Sequence, residues 1–264
     1  MLWIPFLYGF VLTSRPKRSA EKYAAIWTPQ GSPLAIHTAR QTQLLRSSLK
    51  EFRIEYAMRY GEPSIPSVLE KLKGCESLTV VPLYPQYSDS ATGSVLDLLP
   101  GIVSVSVVKD FHDHPAYIAA LFSSVKKFWK ENGQAAKLLM SFHGLPKRGA
   151  ESYELQCRST GKLLSEKLEL KDGEWRVTFQ SRFGFAEWLQ PYTQPTLEQL
   201  ARDGVSSVDV VCPGFVSDCL ETLEEIGIAA EKAFLAAGGK ELRLIPCLNE
   251  SPEWIAALAE ISGR

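Results

Sequence analysis

Short apolar, β-branched runs alternate with longer segments of helical spacing along most of this chain, and that alternation decides what it can fold into. The runs cover residues 53–58, 78–83, 103–108, 137–142, 176–179, 205–211 and 241–245. Between them, residues 33–51, 64–73, 115–132, 153–168, 194–202 and 218–237 carry helical spacing. Residues 251–261 close the sequence as a last helix, with Ser251 placed as N-cap and Pro252 at the first helical position. Strands separated by helices pair through crossovers, which makes their sheets parallel. Several of the runs are apolar without a break, as strands covered on both faces are. The expectation is an α/β fold of two similar lobes, each a parallel sheet flanked by helices, with a cleft between them. A break at Asn132-Gly133 divides an amino-terminal lobe, 1–132, from a carboxy-terminal lobe, 133–264, whose last helix is expected to pack back on the first.

In open α/β sheets, ligands bind beyond the carboxyl ends of the strands. Six post-strand loops of this chain share that edge: Met58 to Gly61, Pro82 to Ser88, Phe111 to Pro115, Ser141 to Pro146, Gln180 to Gly184 and Cys212 to Phe215. They gather aromatic, arginine and histidine side chains, where purely structural turns more often use Asn, Asp and Ser. Such an edge suits a large, flat, anionic ligand.

Two constellations stand out on it. In Ser141-Phe142-His143-Gly144-Leu145-Pro146, a histidine ends a buried run and is held at a sharp turn by the Gly that follows. Its ordinary pKa lets it exchange protons near neutral pH, although a histidine there also serves as a turn cap. Farther on, Asp218, Glu221 and Glu225 fall at i, i+3 and i+7 of a segment of helical spacing. This is either an acidic first turn on a solvated face or, if it looks into the cleft, a carboxylate row opposite His143. One His and one Glu with open positions would hold a divalent cation loosely enough to hand it on. His112 and His114 flank Asp113 like a metal pair, but Pro115 marks a helix start, so a capping role is expected there. His37 lies mid-helix and reads as a packing or surface residue.

Composition narrows the class. Lys plus Arg is 29 against 30 Asp plus Glu, a net charge of −1 that gives no electrostatic case for nucleic acid. The five cysteines are odd in number and contain no C-x-x-C pair, which fits a reducing cytoplasm better than a disulfide framework or a zinc ribbon. The opening residues 1–12 are apolar and too short to span a bilayer. With Arg15, Lys17 and Arg18 behind them, they suit packing on the protein's own core or lining a ligand cleft, the favoured reading, or peripheral contact of residues 1–18 with an anionic membrane surface.

Several longer strings resemble ferrochelatase, the terminal enzyme of heme synthesis. They are Arg15-Pro16-Lys17-Arg18-Ser19, Gly31-Ser32-Pro33, Met58-Arg59-Tyr60-Gly61, Tyr84-Pro85-Gln86-Tyr87-Ser88 with Thr92-Gly93-Ser94, Ser141 to Pro146, Gln180-Ser181-Arg182-Phe183-Gly184, Trp188-Leu189-Gln190-Pro191-Tyr192-Thr193, and Pro213 to Glu225. The resemblance implies insertion of Fe²⁺ into protoporphyrin IX with release of two protons, iron being a substrate and no cofactor being required. It implies that His143 accepts pyrrole protons or meets the metal, that Glu221 is its partner across the macrocycle, and that Asp218 and Glu225 lie on the proton or metal path. It makes Arg59 and Tyr60 porphyrin contacts, and puts Tyr87 and Ser88 in a cleft wall.

Three departures accompany it. Family members begin with a further βα unit, so the resemblance implies an amino lobe short of its first strand. Cys219 stands where some relatives have His, and no cysteine-rich tail follows to carry the iron–sulfur cluster of other relatives, so no cluster is expected. The alternatives are a non-catalytic tetrapyrrole-binding module and a chelatase for another metal or ring, coproporphyrin included. A mere binder has no need of His143 and the acidic segment together, which favours the enzyme.

Overall fold

The computed structural model describes residues 12–99 and 104–263. The apolar start, and with it most of the segment expected to touch a membrane, lies outside the described residues.

The first elements are helices: α1 (Leu12–Ile26), α2 (Pro33–Ser48) and α3 (Ile65–Lys71). Strands β1 (Leu78–Val80) and β2 (Val105–Val107) pair in parallel. Helix α4 (Pro115–Asn132) then leads to the larger sheet. Its strands are β3 (Lys137–His143), β4 (Trp175–Gln180), β5 (Ser207–Val211) and β6 (Glu241–Leu244), all parallel, in the spatial order β4-β3-β5-β6. Helices α5 (Glu151–Lys167) and α6 (Thr193–Arg202) make the crossovers on either side of β4. The segment after β5 is helical from α7 (Leu220–Leu223) through a π-turn (Glu225–Ala230) to α8 (Glu231–Ala236), and α9 (Pro252–Ile261) closes the chain.

Two expectations fail locally. Residues 53–58 join no ladder; they touch a strand-like partner only through the bridge Met58↔Ser64. The carbonyl of Ile54 instead accepts from Arg46 Nε of α2 at 2.6 Å, so a backbone group a neighbouring strand would use is taken by a side chain. Among the described residues the first sheet therefore has two strands against four in the second. The second failure concerns residues 218–237. The helix begins at Leu220 rather than Asp218, because Cys219 is extended (φ −150°, ψ −171°) and acts as N-cap. It then widens into the π-turn, where Ala229 N donates to Glu224 O at 2.8 Å. Gly227 lets that turn close on β6, since a Cβ there would lie 3.3 Å from Leu244 Cδ2.

The core runs through both halves. Helix α4 starts at Pro115 with His114 Nδ1 accepting from Ala116 N at 3.3 Å, the cap that its sequence suggested. It buries Tyr117, Ile118, Leu121, Val125 and Trp129, a stripe at helical spacing, as it packs on α9 and α5. Phe111, Tyr117 and Trp254 meet ring to ring with centroids 5.4 to 6.2 Å apart. The last helix thus packs on α4 and α2. On β5, Asp209 is fully buried and accepts from Trp129 Nε1 (2.7 Å), Ala135 N (3.0 Å) and Arg243 Nε (2.8 Å) and Nη2 (3.1 Å). That carboxylate ties the end of α4, the entry to β3 and strand β6 together.

Replacing Asp209 by Ala removes the buried acceptor of the Trp129 indole N–H and of Arg243 Nε, leaving Arg243 with the carbonyls of Asn132 and Gly133. We expect a loss of ~3–5 kcal/mol in urea unfolding. A loss under about 1 kcal/mol would show that the cluster does not hold these elements together.

Candidate active site

Strand β3 sends its crossover to β4 on one side, while β5 lies on the other, so the topological switch falls between the carboxyl ends of β3 and β5. His143 is the last residue of β3 and Cys212-Pro213-Gly214-Phe215 leaves β5 beside it. His143 pairs in register with Gln180 of β4, and Gly144 N donates to Gln180 O at 2.8 Å. A Cβ at Gly144 would lie 2.6 Å from that carbonyl, so only glycine lets the chain turn directly after the histidine. His143 is half-buried, and its ring lies 6.4 Å from Phe215. Its Nδ1 is 2.7 Å from the carbonyl oxygen of Gly144. A carbonyl only accepts, so Nδ1 is the donor in this contact, and in the neutral ring the lone pair is on Nε2.

Gln180 joins this histidine to the acidic segment. Its Oε1 accepts from Ser141 Oγ at 2.7 Å, and its Nε2 donates to the backbone carbonyl of Glu221 at 2.6 Å. Ser141 Oγ meets Thr193 Oγ1 at 2.8 Å, and Thr193 Oγ1 donates to Thr178 Oγ1 at 2.9 Å. A buried polar ladder across β3, β4 and α6 therefore fixes the height at which α7 begins.

The three carboxylates of that segment do not form one row. Asp218 is buried, and its oxygens accept from Thr222 Oγ1 (3.0 Å), Cys247 N (3.3 Å) and Asn249 Nδ2 (2.7 Å). Gln41 of α2 backs this loop, donating to Ser217 Oγ and Asn249 O, each at 2.8 Å. Glu225 lies in the π-turn, where its two oxygens accept from Ser181 N and Ser181 Oγ, each at 2.6 Å. Both side chains are committed to holding loops, because Asp218 precedes the N-cap and the π-turn breaks the i, i+3, i+7 spacing. Glu221 differs from them: it is half-buried and makes no ion pair among the described residues. Burial and then its charge push the phenol of Tyr23 up, and burial, Tyr60 and then its charge push that of Tyr84 up, which places both rings within its field.

The predicted ligand contacts of the amino-terminal half divide in the same way. Arg59 Nε donates to Ser94 O (2.9 Å) and Ser94 Oγ (3.2 Å), and its guanidinium lies 4.6 Å from the centre of the Tyr60 ring, which is widely exposed. The phenol of Tyr84 feels both this pair and Glu221: burial, Tyr60 and Glu221 push it up, and Arg59 acts against them. Tyr87 OH donates to Asp89 Oδ1 at 3.0 Å, and Ser88 Oγ caps the turn that follows by accepting from Ala91 N at 3.2 Å. Those two residues shape the loop from within. The loop is moored to helix α5 by Gln86 Nε2, which donates to Thr160 Oγ1 at 3.0 Å, and by Tyr87 N, which donates to Gln156 Oε1 at 2.6 Å.

Among the described residues, three metal-ligating side chains converge tightly only at Asp110, His112 and Asp113, on the surface loop after β2. His143, Glu221, Asp218 and Glu225 do not converge in that way. His37, mid-helix as expected, faces Glu250 with Nδ1 2.9 Å from Oε1. Sequence reasoning missed Gln180, Lys22 and Glu224. A glutamine ending an apolar strand was the available signal for the first. The ion pair of Lys22 and Glu224, 2.6 Å long across most of the chain, left none.

The comparisons bear on the whole chain. The sequence profile of the ferrochelatase family matches residues 1–264. Curated ferrochelatases are similar throughout: that of Aromatoleum aromaticum is 51% identical over 277 aligned positions, covering 98% of this chain and 76% of its own length. That of Herminiimonas arsenicoxydans is 50% identical, covering 99% and 76%. That of Bordetella pertussis is 48% identical, covering 100% and 77%. The chain thus spans about three quarters of the length of these relatives. Among solved structures, SirB from Bacillus subtilis with Fe³⁺ superposes with a TM-score of 0.60 at 16% identity, over 85% of this chain and 90% of that one. The sirohydrochlorin chelatase SirB from Bacillus subtilis subspecies spizizenii, in complex with cobalt, gives 0.59 at 13%, over 88% and 90%. At such identities the likeness speaks to the fold.

The site's thiols yield a chemical test. Burial pushes Cys157, Cys212, Cys219 and Cys247 well up, with Glu221 adding to the effect at Cys219 and Asp218 at Cys212 and Cys247. A raised thiol stays protonated at pH 8, and the thiolate is the reactive form. Only Cys75 is exposed. A disulfide reagent should therefore label one thiol quickly in the native protein and the other four on unfolding. A second fast thiol would contradict the buried placement.

Proposed function

The chain belongs to the ferrochelatase family, and we propose that it is a lyase-type chelatase that inserts Fe²⁺ into protoporphyrin IX in the crevice between β3 and β5. The free macrocycle carries two pyrrole N–H protons. The metal takes their place without change of oxidation state, so the step balances with two protons released and needs neither an electron carrier nor a nucleotide.

The observation that carries the reading is the His143 imidazole, with its Nδ1 proton committed to Gly144 O and its Nε2 lone pair free to accept. A base held in this way contributes ~10²–10⁴-fold to a proton-transfer step. Gln180 ties the turn that bears Glu221 to the strand beside His143, which supports a carboxylate working with the imidazole on the same ring. A carboxylate is a hard ligand that replaces part of an entering ion's water shell and takes on protons leaving the ring. In this proposal Asp218 and Glu225 act one step removed. The first fixes the start of α7 and the second holds the Ser181 loop. Arg59 and Tyr60 present a cation and an exposed ring to the macrocycle or its carboxylates. No helix among the described residues is long and apolar enough to cross a membrane.

The test is anaerobic Fe²⁺ insertion, followed by the loss of porphyrin fluorescence, with protoporphyrin and coproporphyrin in parallel. His143→Ala should lower turnover by ~10²-fold or more while porphyrin binding stays measurable; unchanged turnover would rule out the base. Glu221→Gln should lower turnover far more than affinity. Equal losses in both would assign Glu221 to folding or uniform binding instead.

A further inference from the structure

Glu224 has no place in the reaction just described, yet its side chain is only 11% exposed. It sits between Glu221 and Glu225 at the point where the helix widens, its carbonyl accepting from both Ile228 N (3.2 Å) and Ala229 N (2.8 Å). A carboxylate so enclosed needs a counter-charge. It receives one from Lys22 of α1, whose Nζ lies 2.6 Å from Glu224 Oε2. The two residues are 202 positions apart, and among the described residues their ion pair joins α1 to the acidic segment.

What α1 carries makes the pair consequential. Tyr23, next to Lys22, lies within the field of Glu221, and Trp27 meets Tyr23 edge to face at 6.2 Å. Both rings are exposed, at 42% and 56%. An exposed aromatic pair beside the proposed metal-facing carboxylate is a surface on which a flat macrocycle can rest. Helix α1 lies against α7, and the charge pair joins it to the residue that follows that helix.

We propose that Lys22 is a positioning residue: through Glu224 it docks α1 on the acidic segment and so places the Tyr23–Trp27 face relative to Glu221 for porphyrin binding. The proposal rests on the chelatase reading for its ligand but not for its docking contact. Lys22 is half-exposed and Glu224 is enclosed, so Lys22 is the partner changed alone and Glu224 is changed only together with it.

The experiment compares the full chain with Lys22→Glu and with the charge-swapped Lys22→Glu/Glu224→Lys. Three quantities are read: hydrogen exchange of the amides of residues 19–26, the affinity for iron-free protoporphyrin, and turnover at saturating porphyrin. Lys22→Glu should speed exchange and weaken porphyrin binding by roughly tenfold each, with turnover at saturation within about twofold. The swap should restore exchange and affinity to within about threefold of the original. Unchanged exchange in Lys22→Glu, or a swap as defective as the single variant, overturns the docking claim. Loosened α1 with unaltered affinity overturns the positioning claim. An original protein that binds no porphyrin removes the chelatase reading instead, and exchange alone then decides whether the pair docks α1.

Discussion

The side chain of Gln180 is the interaction on which the rest of the site depends. Its backbone carbonyl receives Gly144 N and sets the turn that presents His143, while its side-chain amide receives Ser141 on one side and donates to Glu221 O on the other. One buried residue therefore fixes two groups that arrive on different crossovers of the same sheet. A polar group that is this deeply buried is costly when unpaired and rigid when fully paired. Here its side-chain oxygen accepts from Ser141 and its amide nitrogen donates to Glu221 O, both elements of the site.

This arrangement explains why the acidic segment is not a simple helix. Asp218 spends its carboxylate on Thr222, Cys247 and Asn249, Glu225 on Ser181, and Glu224 on Lys22. Glu221 braces no loop with its carboxylate in this way, and its charge acts on the phenols of Tyr23 and Tyr84. Three acids that looked equivalent by spacing thus have separate duties. Two brace loops, and the third carries the charge the proposed chemistry needs. The π-turn makes this possible, since an unbroken α-helix would have turned Glu221 and Glu225 toward the same neighbours.

Much of the fold was legible because strands covered on both faces leave apolar runs and crossovers leave helical spacing between them. Strand β3 and helix α4 follow their sequence signals closely, down to the cap at His114 and the stop at Gly133. Residues 53–58 misled because β-branched and aromatic content records suitability for a pleated surface, not the presence of a neighbour to pair with. At the site, His143 was legible from its strand-end position and the Gly after it. The commitments of Asp218, Glu225, Tyr87 and Ser88 were not, because a side chain's partner lies tens or hundreds of residues away and composition is silent about it. The Lys22–Glu224 pair is the extreme case.

The central claim is spatial: a macrocycle enters the crevice at the switch between β3 and β5 and meets the free nitrogen of His143. A crystal structure of the chain with iron-free protoporphyrin tests it most directly. The account predicts the ring in that crevice, with His143 Nε2 within hydrogen-bonding reach of the pyrrole nitrogens and Glu221 near the ring. A porphyrin bound elsewhere, or seated with His143 turned away from its centre, would contradict it.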